Sequence, residues 1–256
     1  MNSATSGIKS KTVIVLRAPG TNCDFETAEA LTSRGYSNYK LTLKELLDSA
    51  YYLQEAQGLI LPGGFTYGDY LGSGVILSFL IRFKLMDKLM DFIEAGGKIL
   101  GICNGFQILT RLGLLPFPGE EACVSLEPNS SGKFECRWTP LINNSRLIEN
   151  FSKLPSQFYL PVAHMEGRIK LKHQQLHYQL KQNDQIAFYY GQNQPTHIYP
   201  DNPNGSDFAI AGITDPQGKV LGMMPHPERF IYSGQYPWKN KSVNFRGADL
   251  IDQFFK

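Results

Sequence analysis

The sequence predicts an α/β fold: an open, mostly parallel sheet flanked by helices, with additional antiparallel strands in the C-terminal half. Three observations carry this. Up to Leu112, short and almost wholly apolar runs alternate with amphipathic stretches, the pattern of βα units whose strands are buried on both faces. Two of those runs open into glycine-rich turns, which fall where the carboxyl ends of parallel strands would be. From Ala122 onward the texture changes to shorter runs of Val, Phe, Trp and Tyr, punctuated by Asn-Asn, Pro-Ser, Asp-Pro and Asn-Gly, which are marks of hairpins.

Taken in order, Thr12-Val-Ile-Val-Leu16 reads as a buried parallel strand. A Pro-Gly turn follows, then a cap at Asn22 or Asp24 and a helix over Phe25 to Ser33. A weaker strand near Tyr39 to Leu43, a short helix Lys44 to Leu53, a strand Gly58 to Leu61 and a long amphipathic stretch Ile76 to Glu94 continue the alternation. Strand Lys98 to Ile102 and helix Gly105 to Leu112 complete it, in the manner of a flavodoxin-like sheet with its site at the strands' carboxyl ends. Lys170 to Gln182 is polar enough for a solvated helix. Phe245 to Phe255, apolar at Phe245, Ala248, Leu250, Ile251, Phe254 and Phe255, reads as a terminal helix packed on the sheet.

The 256 residues, 42% hydrophobic and 12% aromatic, suffice for one sizeable core, so residues 12–256 are expected to form a single domain behind a flexible tail, residues 1–11. A net charge of +2, with 19% charged residues and no basic run interleaved with aromatics, argues against nucleic acid as a partner. No apolar run is long enough to span a bilayer, and the polar first eleven residues lack a signal-peptide core, so a cytoplasmic protein with no membrane partner is expected. Cys23, Cys103, Cys123 and Cys136 are too few and too irregular for a disulfide framework. His173 and His177 are four apart, but their surroundings suit a solvated helix better than a ligand pair. No metal is expected.

Chemistry concentrates in three segments. In Lys98-Ile-Leu-Gly-Ile-Cys-Asn-Gly-Phe-Gln107 an apolar strand ends in a cysteine with a glycine two residues before it and two after, a strand-to-helix elbow that presents a nucleophile. The helix amino terminus beyond Cys103 favours thiolate over thiol, and the N–H of Asn104 faces the place of an oxyanion. In Val220-Leu-Gly-Met-Met-Pro-His-Pro-Glu-Arg229 two prolines bracket His226, and Glu228, two residues on, projects to the same side of an extended chain. Glu228 could therefore orient His226 as a base for the thiol. The third is the loop of Gly58-Leu-Ile-Leu-Pro-Gly-Gly-Phe-Thr-Tyr-Gly-Asp-Tyr-Leu-Gly-Ser-Gly74; if Gly64 presents its N–H beside that of Asn104, the two form an oxyanion hole. Neither a P-loop nor a dinucleotide fingerprint is present in it.

Pro19-Gly-Thr-Asn-Cys-Asp24, Pro62-Gly-Gly-Phe-Thr-Tyr-Gly-Asp-Tyr-Leu71, Gly101-Ile-Cys-Asn-Gly-Phe-Gln107, Asp201-Asn-Pro-Asn-Gly-Ser206 and Met224-Pro-His-Pro-Glu-Arg229, in this order, make the chain resemble the triad glutamine amidotransferases. The Phe-Thr-Tyr-Gly-Asp and Asp-Asn-Pro-Asn-Gly-Ser segments point within that class to the purine-pathway family, the glutaminase subunits of phosphoribosylformylglycinamidine synthase, from about Thr12 to the carboxyl end. The resemblance implies Cys103 as nucleophile, His226 as base and then acid, Glu228 as its orienter, and Gly64 and Asn104 as oxyanion donors. It further implies that Gln107 helps hold substrate glutamine and that His164, in Val162-Ala-His-Met-Glu-Gly167, lies at the glutamine site. It implies a glutaminase that passes ammonia to an ATP-dependent synthetase (large) subunit working with a small accessory subunit, so that ATP and Mg belong to the partner and this chain needs no cofactor. Gly72 and Ser73 stand where family members often carry a more basic and less flexible pair. Arg168 to Tyr199 is longer and more Gln-rich than a compact member, as an insertion would be.

Other readings of the same residues are a glutaminase subunit serving a different synthetase, separable by the large subunit it co-purifies with, and a glutamine-binding or redox-sensing module without turnover. A cysteine hydrolase of esters or lactones is a further one. Glutamate release from glutamine decides between the last two and the amidotransferases.

Overall fold

The computed structural model describes residues 11–49, 51–238 and 244–256. In chain order the elements are β1 (Thr12–Arg17), α1 (Asp24–Thr32), β2 (Ser37–Thr42), α2 (Leu43–Asp48), α3 (Tyr51–Glu55), β3 (Gly58–Leu61), α4 (Val75–Lys84), α5 (Met86–Glu94), β4 (Lys98–Ile102), α6 (Asn104–Leu112), β5 (Val124–Pro128), β6 (Glu135–Asn143), β7 (Gln157–His164), β8 (Glu166–Leu171), α7 (Gln174–Gln182), β9 (Ile186–Tyr190), β10 (Ile210–Thr214), β11 (Val220–Met223) and α8 (Gly247–Phe255). The main sheet runs β2-β1-β3-β4-β11-β10-β9-β6-β7, and β5 pairs with β8 in a separate two-stranded ribbon.

The left five strands are parallel throughout, with β1 between β2 and β3, and β4 between β3 and β11. Their sequences explain this. Val13 to Leu16, Leu59 to Leu61, Ile99, Leu100, Ile102, Val220, Leu221 and Met223 are buried, as strands covered on both faces require. The right half, β11-β10-β9-β6-β7, is antiparallel. The expected α/β architecture with antiparallel additions is the observed one.

Several boundaries differ from expectation. Cys23, not Asn22 or Asp24, precedes α1, with no side-chain cap, and the helix expected from Lys170 begins at Gln174 because Lys170 and Leu171 belong to β8. The helix expected over Lys44 to Leu53 is two, α2 and α3; a capping box between Thr42 and Glu45 fixes the start of α2, and Ser49 ends it in an extended conformation (φ −140°, ψ 115°). The stretch Ile76 to Glu94 breaks into α4 and α5 at Leu85 (φ −130°, ψ −10°), whose side chain turns into the core. Arg168 to Tyr199, the segment expected to be longer than in a compact member, supplies β9, buried along its whole length between β10 and β6. The expected flexible tail falls, through residue 10, outside the described residues; Lys11 accepts a hydrogen bond from the Ser37 N–H through its carbonyl (2.9 Å).

The parallel strands matter most for function because four carboxyl ends release four loops in one place. Arg17 leads to Pro19–Cys23, Leu61 to Pro62–Gly74, Ile102 to Cys103 and Met223 to His226. An open α/β sheet gathers ligands at that edge.

Candidate active site

Cys103 stands between β4 and α6 with φ 51° and ψ −104°, a sparsely populated conformation for a residue with a side chain. Two neighbours impose it. The Cys103 N–H donates to Met223 O at 2.8 Å, extending the β4–β11 ladder by one residue, and α6 starts immediately afterwards. The helix approaches β3 so closely that a Cβ on Gly105 would lie 1.8 Å from Leu61 O, so only glycine closes the elbow. The thiol is 6% exposed, with Sγ 3.7 Å from Ala163 O.

Gly64 is placed by the loop after β1. An antiparallel bridge joins Thr21 and Gly64, with the Phe65 N–H donating to Gly20 O (3.0 Å) and the Cys23 N–H to Gly63 O (3.3 Å). Gly64 adopts φ 144°, and a Cβ there would stand 2.8 Å from both Asn22 N and Gly20 O. Asn104 opens α6, so its N–H has no intrahelical acceptor. The Asn104 side chain is turned inward: Oδ1 accepts from Thr66 Oγ1 (2.7 Å) and Nδ2 donates to Gln107 Oε1 (3.0 Å). Whatever Asn104 offers a ligand is therefore backbone.

His226 follows β11, its N–H donating to Pro161 O (2.8 Å). The ring is 1% exposed, and Nδ1 lies 2.6 Å from Oε1 of the fully buried Glu228. Among the described residues Nε2 has no hydrogen-bond partner. Burial alone would lower the imidazolium pKa; the Glu228 carboxylate, reinforced by the Cys103 sulfur, outweighs it and holds the pKa well above 6.5. The Cys23 thiol backs the ring, with Sγ 4.0 Å from Nδ1, 3.3 Å from Asn22 Oδ1 and 3.2 Å from Arg229 Nη2. Burial pushes this thiol up to about 11, leaving it protonated at neutral pH. Arg229 is in turn held by Glu26, Nε to Oε1 2.6 Å.

Gln107, buried on α6, donates through Nε2 to the Glu166 carbonyl. His164 is 3% exposed. Asn129 donates through Nδ2 to Lys133 O and His164 O, and its Oδ1 already accepts the Gly167 N–H (3.2 Å), so the 3.0 Å contact with His164 Nδ1 makes that nitrogen the protonated one. His164 Nε2 is an acceptor without a partner among the described residues. Burial, then the nearby His226, pushes the His164 pKa down to about 3, so the ring is neutral.

One pocket of about 460 Å³ is lined by Cys103, His226, Gly64, Gln107 and His164, together with Asp69 and Glu166 among others. It gathers the side chains or backbone of the expected site; Asn104 and Glu228 stand directly behind the lining, beside Cys103 and His226. Sequence reasoning passed over Cys23, Arg229, Asp69 and Glu166, although each lies within a motif already singled out. Among the described residues, Cys23, His226 and Glu228 could ligate a metal, but the Arg229 guanidinium occupies their flank with fixed positive charge. His173 instead caps α7, accepting from the Leu176 N–H at 3.2 Å, and His177 stacks on Phe208 with ring centroids 3.7 Å apart. Among the described residues no helix is long and apolar enough to cross a membrane.

The model of the CobB/CobQ-like glutamine amidotransferase domain matches residues 10–254. A phosphoribosylformylglycinamidine synthase subunit PurQ of Dehalococcoides mccartyi is 41% identical over 239 residues, 93% of this chain and 92% of that protein. The PurQ subunit of Picrophilus torridus is 40% identical over 242 residues, 94% and 93% of the two chains. Among solved structures, that of PurLQS from Thermotoga maritima superposes with a TM-score of 0.72 at 30% identity, covering 96% of this chain and 98% of that one.

Proposed function

We propose that this chain, which belongs to the family of CobB/CobQ-like glutamine amidotransferase domains, is the glutaminase subunit of phosphoribosylformylglycinamidine synthase in purine biosynthesis. The observation that carries the chemistry is the strained thiol of Cys103 in one pocket with the free Nε2 of a His226 already oriented by Glu228.

The Cys103 thiolate attacks the side-chain amide carbon of glutamine, and the N–H groups of Gly64 and Asn104 receive the oxyanion. The imidazolium of His226 gives its Nε2 proton to the departing nitrogen, and the C–N bond breaks to release ammonia and leave a glutamyl thioester. The same nitrogen then removes a proton from water as it attacks; the C–S bond breaks, and glutamate leaves. Glu228 keeps its proton partner on Nδ1 throughout, so that Nε2 alone faces the sulfur. Gln107 and His164 are assigned to substrate binding, the neutral His164 as an acceptor.

Ammonia is mostly protonated, and so non-nucleophilic, near neutral pH, which makes a docked synthetase its natural consumer. The partner is the ATP-dependent synthetase subunit, assisted by a small accessory subunit, and ATP and Mg act there. Exposed Phe65, Phe134 and Met165 at the pocket mouth suit a face that is covered on assembly. Cys103→Ala tests the reading: the assembled enzyme should lose ammonia release from glutamine down to background while still making product from added ammonium. Undiminished glutaminase activity in that variant would overturn it.

A further inference from the structure

Two carboxylates in the pocket have no counter-ion among the described residues. Asp69 and Glu166 both line it, and among the described residues neither forms an ion pair with Lys, Arg or His. Their hydrogen bonds are long. Asp69 Oδ1 faces the Gly74 N–H at 3.3 Å and Asn104 Nδ2 at 3.5 Å, Oδ2 faces Ser73 Oγ at 3.2 Å, and Glu166 Oε2 faces the Ser73 N–H at 3.4 Å. Ser73, bonded to both, holds them as neighbours. Half-burial pushes the Asp69 carboxyl up, and the Glu166 charge adds to the rise.

The lining cation does not neutralise them, since Arg229 is engaged by Glu26 and Cys23. A second, independent observation points to a polar ligand: Nε2 of His164 and Nε2 of His226, both in side chains more than nine-tenths buried, have no partner among the described residues at its wall. Cys103, Asp69 and Glu166 line the same pocket. Asn104 follows the nucleophile directly and reaches Asp69 with its amide, and in glutamine the α-nitrogen is roughly 5 Å from the reacting carbon, from bonds of about 1.5 Å.

We propose that Asp69 and Glu166 bind the α-ammonium group of glutamine while its amide lies at Cys103, and so make the site selective for an α-amino acid amide over other primary amides. This rests on the glutaminase reading above. The amide end of the substrate is recognised by the machinery that breaks it, and the zwitterionic end by a charge that simple amides cannot satisfy.

The test uses the complex with the synthetase subunit and compares ammonia release from glutamine with that from glutaramate, which carries hydrogen in place of the α-amino group. The wild-type complex should prefer glutamine in kcat/KM by about 100-fold or more, the loss expected when charged hydrogen bonds go unmade. Asp69→Asn and Glu166→Gln should each raise KM for glutamine roughly 10- to 100-fold with kcat within about threefold of wild type, and leave glutaramate unchanged. Both substitutions keep shape, and asparagine accepts the φ of 51° at position 69. Wild-type preference retained in both variants, or equal losses of kcat on both substrates, would overturn the inference while leaving the glutaminase reading intact. A wild-type complex that frees no ammonia from glutamine overturns both.

Discussion

His226 carries the protonation behaviour of the site. Its imidazolium is held well above 6.5 because the Glu228 carboxylate and the Cys103 sulfur outweigh the cost of burial, so the proton leaves only as pH rises through that raised value. Glu228→Gln removes the charge and the orienting acceptor. It should lower kcat by roughly 10²–10⁴-fold and move the alkaline limb of the kcat/KM profile to lower pH; a limb that stays in place contradicts the assignment of Glu228. His164 titrates in the opposite sense. With its folded pKa down to about 3, the ring favours folding fully above its ordinary value of 6.5, and that contribution is lost as pH falls from there toward 3. Denaturant titrations at pH 7.5 and pH 5 should show a smaller loss of stability at the lower pH for His164→Gln than for the wild type. Cys103, His226 and Glu228 were legible in the sequence because glycine, proline and two-residue spacing are local constraints. Asp69 and Cys23 were not, since what marks them is a neighbour brought from elsewhere: Glu166 through Ser73 for the one, the imidazole 203 positions away for the other.

At the scale of the element, the Asp201-Asn-Pro-Asn-Gly-Ser206 segment, prominent as a motif, does its work by holding β8. Ser206 Oγ accepts the Ile169 N–H (3.0 Å) and donates to Asn204 Oδ1 (2.7 Å), while Asn204 Nδ2 donates to Gly167 O (2.7 Å). All three polar groups are buried, so truncation strands a donor or acceptor away from water. Ser206→Ala should destabilise the protein by about 1–3 kcal/mol in thermal or denaturant unfolding, and, because β8 begins at Glu166, it should raise KM for glutamine more than it lowers kcat. A fully stable variant with unchanged KM would contradict the clamp. The existence and type of most elements up to Leu112 could be read from periodicity. The breaks at Ser49 and Leu85 could not, because they answer to how each half of the stretch meets the core rather than to a breaker residue.

Across the whole molecule, the parallel half of the sheet places the site and the antiparallel half builds its far wall, where Ala163 meets Cys103 and Pro161 meets His226. The parallel half was foreseeable, since consecutive βα units leave few topologies. The order β10-β9-β6-β7 was not, because pairings such as Leu141 with Tyr190 join strands separated by β7, β8 and α7. As a subunit the chain should hydrolyse glutamine slowly alone and faster with its synthetase partner; full activity in the isolated chain would count against control by assembly. Sulfur at position 103 taking the acyl group can be seen by mixing the complex with glutamine, quenching in acid during turnover and mapping adducts by peptide mass spectrometry. A glutamyl group is expected on Cys103, more abundant when His226 is replaced by a residue that still permits acylation. Turnover with the glutamyl group on Cys23 or Cys136, or with none on any cysteine in either protein, would contradict it.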